Sequence, residues 1–277
     1  KPTLDVAKPT NVQDNSILIE KDTAKRYWFE PELAPTEVVS GFTISGTSGK
    51  VSESTGTLSF TINSSSQSTL AVKALSANAG SSYVLRYKLT VTTDDIAFPS
   101  GQSGNILYGT TSATSGVAED PPLSSYTIYV KHALHADVAA NYSIDGSSRT
   151  NDWGNGVSNG SGARTKYVEV INNAGSMTTR YTDSSDYTGG VVTPAWSVAS
   201  GAQSGAKGNI FFNFFTNTIS SGSIVGTVSD VKLYNNVTSV TPATWTRGYF
   251  PATDTTLFST STGWTGDTSV ITNSGDT

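Results

Sequence analysis

"SYVLRYKLTVTT", Ser82 to Thr93, decides the fold class. Leu89 and Val91 recur at period two, while Arg86, Lys88 and Thr90 occupy the positions of the other face. Successive side chains of a strand point to opposite sides of the sheet, so such a segment carries one apolar and one polar face. Strands of a parallel α/β sheet are apolar on both faces; half-polar strands belong to antiparallel sheets with one buried side.

Seven further segments read as short strands, several of the set alternating cleanly: "GTLSFTIN", "STLAVKAL", "SYTIYVKHALHA", "TKYVEVINN", "MTTRYT", "NIFFNFFTNTI" and "GTVSDVKLYNN". Clusters of Gly, Ser, Asn and Pro separate them, and such clusters terminate strands. No stretch holds helical periodicity over three turns. About eight short strands over roughly 200 residues suit a two-sheet jelly roll. The expectation is an all-β, two-sheet antiparallel jelly-roll sandwich over residues 38–236, with an extended arm and a short hairpin ("SILIEKDTAKRYWF", turning at "KDTAK") at 1–37 and an extended arm at 237–277. "FFNFF" (Phe211 to Phe215) breaks the alternation. Apolar residues facing both ways predict a central strand whose outer face is also covered.

Composition narrows the function. Hydrophobic residues are 36% and charged residues 14% of the chain, the reverse of a disordered sequence. Net charge is −5 with no basic concentration, which argues against nucleic acid as a partner. No apolar run reaches the roughly 18 residues of a membrane span. There is no cysteine and one methionine, Met177, which fits an oxidising exterior. The chain opens on "KPTLDVAKPT" without a signal segment, as expected of a processed or excised product or of one that reaches its location without a signal.

Three motifs, Gly41-Phe42, Tyr83-Leu85-Tyr87 and Asp230-Val231-Leu233-Tyr234, resemble the opening, middle and closing strands of jelly-roll carbohydrate-binding modules of the family 4, 9 and 22 type. Phe42 stands where those modules usually carry Trp. The resemblance implies a sandwich that contacts glycan. Separately, "NSILIEKDTAKRYWFEPE" resembles a short β-hairpin of bacteriophage tail and virion proteins, which implies a virion appendage or surface protein.

"GVSNG" carries the letters of a hydrolase nucleophile elbow around Ser158, but no helix follows and both histidines precede it. His132 and His135 sit three apart on a strand and so point to opposite faces, which does not suit one metal ion. A polysaccharide lyase would draw on His132 or His135 with Tyr129 and Arg164 or Arg180. The compact Arg/Glu and Gln-x-His signatures of jelly-roll alginate lyases are missing, and the plainer reading is ordinary strand histidines. Paired carboxylates for glycoside hydrolysis would come from Glu119, Asp120, Glu169, Asp183 and Asp186, which read mostly as loop residues. Asn-x-Ser/Thr triplets at Asn63, Asn141, Asn159 and Asn236 are as many as this composition yields by chance. No catalytic residue is assigned.

The most singular loop is "DGSSRTNDWGNGVSNGSGAR", residues 145–164. A Trp in a polar loop offers a flat face for stacking on a sugar ring, with neighbouring amides to bond its hydroxyls. The candidate ligand residues are therefore Trp153, Asn151, Asp152 and Asn155, the alternative being that Trp153 anchors the loop or a subunit contact. Asp145, Asn151 and Asp152 also group the hard oxygen ligands that calcium prefers, so a structural calcium ion is one reading; no other cofactor is expected.

The chain also holds a diffuse repeat. Arg26-Tyr27-Trp28-Phe29 aligns with Arg247-Gly248-Tyr249-Phe250, Gly41-Phe42 with Gly263-Trp264, and Thr55-Gly56-Thr57 with Ser274-Gly275-Asp276, a period of roughly 220. On this reading residues 237–277 look like the opening of a second module. Trp28, Phe29, Trp245, Tyr249 and Phe250 are the expected assembly contacts, with copies of the chain, other subunits or a surface glycan as partners. The expected role is a non-catalytic structural or adhesive protein of an extracellular, cell-surface or virion assembly. The alternative is a carbohydrate-binding module of a larger enzyme.

Overall fold

The computed structural model describes residues 17–19, 26–97, 104–112, 128–134, 141–144, 148–151, 164–192, 196–197, 207–216 and 221–248. Every element among them is a strand. In chain order these begin with β1 (Ile17–Ile19), β2 (Arg26–Glu30), β3 (Glu37–Val38), β4 (Thr43–Gly46), β5 (Val51–Ser54) and β6 (Thr57–Ile62). Next come β7 (Gln67–Ala79), β8 (Ser82–Ala97), β9 (Gly104–Thr111), β10 (Ile128–Leu134), β11 (Asn141–Ile144) and β12 (Ser148–Asn151). The last are β13 (Arg164–Asn173), β14 (Ser176–Thr182), β15 (Val191–Val192), β16 (Trp196–Ser197), β17 (Lys207–Thr216), β18 (Ser221–Asn235) and β19 (Thr244–Gly248).

The chain divides into two compact units, residues 34–240 and residues 1–33 with 241–277. The larger is an all-β jelly-roll sandwich. One sheet has nine strands: β15-β14-β13-β8-β18-β6-β5 in order, with β16 added to β14 and β3 to β18. The other has five, in the order β10-β9-β17-β7-β4, and β11 and β12 form a separate hairpin. All pairings among the described residues are antiparallel, as half-polar strands favour.

The opening segment is β8, the middle of the nine-stranded sheet. Its register sets Leu85 between Val170 and Leu233, and Tyr87 beside Val168. The row Tyr83, Leu85, Tyr87, Leu89, Val91 faces the core. Across the sandwich it meets Ile106, Tyr108, Ile210, Phe212 and Phe214 of the five-stranded sheet. The Phe60 and Phe214 rings stack at 4.7 Å, and Tyr87 meets Phe212 edge to face at 5.2 Å. Three tyrosine hydroxyls in this core find partners across it: Tyr83 with Thr110 at 3.1 Å, and Tyr108 with Tyr181 at 3.2 Å. Gly226 lies in β18 because a Cβ there would collide with the Thr90 carbonyl and the Phe60 ring.

"FFNFF" lies on β17, the centre of the five-stranded sheet. Phe212 and Phe214 face the main core, while Phe211 and Phe215 join Leu70, Val72 and Leu107 in a second cluster on the outer face. Phe211 is 0% and Phe215 1% exposed, so this outer face is covered as the sequence predicts. Each of the eight segments read from sequence holds a strand among its described residues. The reading missed β9, which is buried at every position and therefore shows no alternation.

In the smaller unit β1 and β19 flank β2. Trp245 stands opposite Phe29, and Thr246 opposite Trp28. The two basic-aromatic clusters that look like a repeat are thus partners in one antiparallel ladder. Tyr249 and Phe250, and the second-module reading of 249–277, lie outside the described residues.

Candidate functional site

The hairpin β11–β12 runs from Asn141↔Asn151 at its base to Ile144↔Ser148 at its tip, and β11 lies beside β10, the edge of the five-stranded sheet. Asn151 is the last residue of β12, and the chain resumes as β13 at Arg164, opposite Val91 in the nine-stranded sheet. Residues 152–163, between these two strands, lie outside the described residues. Asn151 closes the hairpin opposite Asn141; Asp152, Trp153 and Asn155 follow it in sequence and lie outside the described residues.

Of the calcium trio, Asn151 closes the base of the same hairpin, and Asp152 lies outside the described residues. Asp145 itself lies outside the described residues. Among the described residues no group of three His, Asp or Glu is placed to hold a metal ion.

The catalytic candidates are distributed over both sheets. Tyr129 and His132 are on β10, opposite Gly109 and Ile106; His135, Ser158, Glu119 and Asp120 lie outside the described residues. Arg164 and Arg180 belong to the nine-stranded sheet. Of the carboxylates, Glu169 is 5% exposed and already neutralised. Its Oε2 accepts from Arg86 Nε at 2.7 Å and Nη2 at 2.6 Å, and Arg180 Nε approaches its Oε1 at 3.4 Å. Asp183 pairs with Lys166 at 2.7 Å. Asp186 accepts from the Thr188 hydroxyl, the Ser184 hydroxyl and the Thr188 backbone N–H. These bonds, that from the Thr188 hydroxyl foremost, pull its carboxyl down to about 2. Glu169 and Asp183 are each held in an ion pair, and the lowered carboxyl of Asp186 is the opposite of what a general acid needs.

Sequence reasoning passed over the centre of this cluster. Arg86, Glu169 and Arg180 are cross-strand neighbours on β8, β13 and β14. They lie on the outer face of the nine-stranded sheet, yet the Arg86–Glu169 pair is buried. The loop after β14 covers it: Tyr187, at φ +61°, sets its ring 4.3 Å from the Arg86 guanidinium and edge-on to Tyr167 at 5.7 Å. Burial pushes the Tyr187 hydroxyl well above its ordinary range, although Arg86 opposes the shift. The available signal was the placing of Arg86 and Glu169 on polar-face positions of strands that pair.

No protein-family model matches the chain, and no curated protein matches it. Among solved structures it is similar to the VIP36 exoplasmic/lumenal domain in a form bound to Ca2+ and Man3GlcNAc. That likeness has 10% identity over 77% of this chain and 93% of that one, with a TM-score of 0.49. It is similar to the Lotus tetragonolobus seed lectin at 12% identity over 77% and 99%, with a TM-score of 0.47. A third likeness is to the basic winged bean lectin with Tn-antigen, at 10% identity over 73% and 96%, TM-score 0.48.

Proposed function

We propose that this chain is a non-catalytic adhesive β-sandwich of an extracellular, cell-surface or virion assembly, and that it contacts glycan through residues 151–155. The observation that carries the reading is the position of Asn151. It closes the antiparallel hairpin β11–β12, whose first strand lies beside the edge of the five-stranded sheet. The Asp152-Trp153-Gly154-Asn155 segment follows it directly in sequence. In this reading Trp153 stacks on the apolar face of a sugar ring, and Asn151, Asp152 and Asn155 bond its hydroxyls. The engagement of Glu169, Asp183 and Asp186 in ion pairs and hydrogen bonds supports binding over hydrolysis.

Glycan-array screening of the wild type against Trp153→Ala, with and without calcium, tests this. Binding by the wild type that Trp153→Ala loses supports the reading. Equal binding by both, or none by either across a broad array, overturns it. Loss of wild-type binding without calcium would make the ion part of the site.

A further inference from the structure

The three-stranded sheet has a topology with a mechanical consequence. β2 runs into residues 34–240 and β19 runs out of them, so the larger unit is inserted between two strands that pair with each other. Thr244 stands opposite Glu30 at the insertion end and Gly248 opposite Arg26 at the far end. The pairing continues to the boundary of the unit, where the Leu33 N–H donates to the Thr241 carbonyl at 3.2 Å. β1 lies on the other side of β2, with Ile17 opposite Trp28 and Ile19 opposite Arg26. Both outer strands are antiparallel to β2, so β1 and β19 are parallel to one another.

We propose that this sheet is a tension clasp, which carries force applied to the chain on either side of it and keeps that force off residues 34–240. Pulling on the chain before Ile17 and after Gly248 draws β1 and β19 in opposite directions along their length. The β1–β2 and β2–β19 ladders are then sheared, with their hydrogen bonds loaded together. Were β1 left out of the path, the load would enter β2 at Arg26, directly beside Gly248. The β2–β19 ladder would then unzip one pair at a time. β1 converts a weak unzipping geometry into a shear geometry, and the sandwich bears load only after the clasp has parted.

Single-molecule stretching of the full chain between its first and last residues tests this. The clasp predicts a small release, on the order of 8 nm for residues 17–33 and 241–248, before a large one on the order of 70 nm for 34–240. A large release that comes first, or a single step without the small one, overturns the proposal. Moving the first attachment to Ala24→Cys, between β1 and β2, must lower the force of the small release; an unchanged force overturns the shear assignment. In a chain without cysteine, the Glu30→Cys and Thr244→Cys pair must form a disulfide. The large release is then lost under oxidising conditions and returns on reduction. Free thiols at both positions in the folded, oxidised protein would contradict the clasp.

Discussion

Arg86 and Glu169 stand directly opposite one another on neighbouring strands, and two nitrogens of the guanidinium share one carboxylate oxygen at 2.7 and 2.6 Å. Both side chains are 6% exposed. Removing one charge from such a pair leaves the other buried without compensation, which costs roughly 3–5 kcal/mol. Glu169→Ala is expected to lose about that much in denaturant unfolding. Replacing both partners, Arg86→Met with Glu169→Leu, is expected to be close to neutral. A cost under about 1 kcal/mol for the single change would show that the pair is solvated.

The outer face of the five-stranded sheet makes a second prediction. Phe211 is fully buried there among Leu70, Val72, Leu107 and Phe215. Phe211→Ala is therefore expected to cost about 3–5 kcal/mol, as much as Phe212→Ala on the core side. Urea unfolding of the two variants measures it. A much smaller loss for Phe211→Ala would mean that the outer face is open in solution.

Alkaline pH is expected to unfold the sandwich through its tyrosines. Burial pushes Tyr83 up to about 12, with the Thr110 hydrogen bond opposing, and raises Tyr87, Tyr108 and Tyr181 well above the ordinary value near 10. The folded state thus keeps these groups neutral where the unfolded chain would ionise them. Their contribution is complete below pH 10 and declines as pH climbs toward the folded values. Each such group removes about 1.4 kcal/mol per pH unit in that window. Tyrosinate absorbance followed alongside circular dichroism should show these four ionising only as the fold is lost. Their titration near pH 10 in a folded protein would contradict the packing.

Gly226 gives a local test of the sandwich spacing. Gly226→Ala sets a methyl group against the Thr90 carbonyl and the Phe60 ring, and the carbonyl belongs to a paired strand that has little room to move. An expected loss of about 1–3 kcal/mol follows from overpacking. A neutral outcome in thermal unfolding would show that β8 and β18 are further apart than described.

The sandwich was legible because its strands alternate: Leu89 and Val91 inward, Arg86 and Lys88 outward, a pattern that only a one-sided sheet explains. β9 was not, because Asn105, Leu107 and Tyr108 are all buried and a strand covered on both faces has no period. Nor was the Arg86–Glu169–Arg180 cluster, since polar-face residues read as solvated until a loop is known to fold over them. The basic-aromatic clusters at Arg26 and Arg247 were visible, but similarity alone does not distinguish a repeat from two partners in one ladder. Asn151 was legible as a residue and not as a position; the hairpin beside β10 supplied that.

The most direct measurement on the central claim is the affinity of wild type, Trp153→Ala and Trp153→Phe for one glycan found on the array, by isothermal titration calorimetry on the intact chain. Loss of a stacking ring is expected to remove binding in Trp153→Ala, while Trp153→Phe keeps part of it and both variants unfold at the wild-type denaturant midpoint. Unchanged affinity in Trp153→Ala, with its fold intact, would contradict glycan contact at this loop.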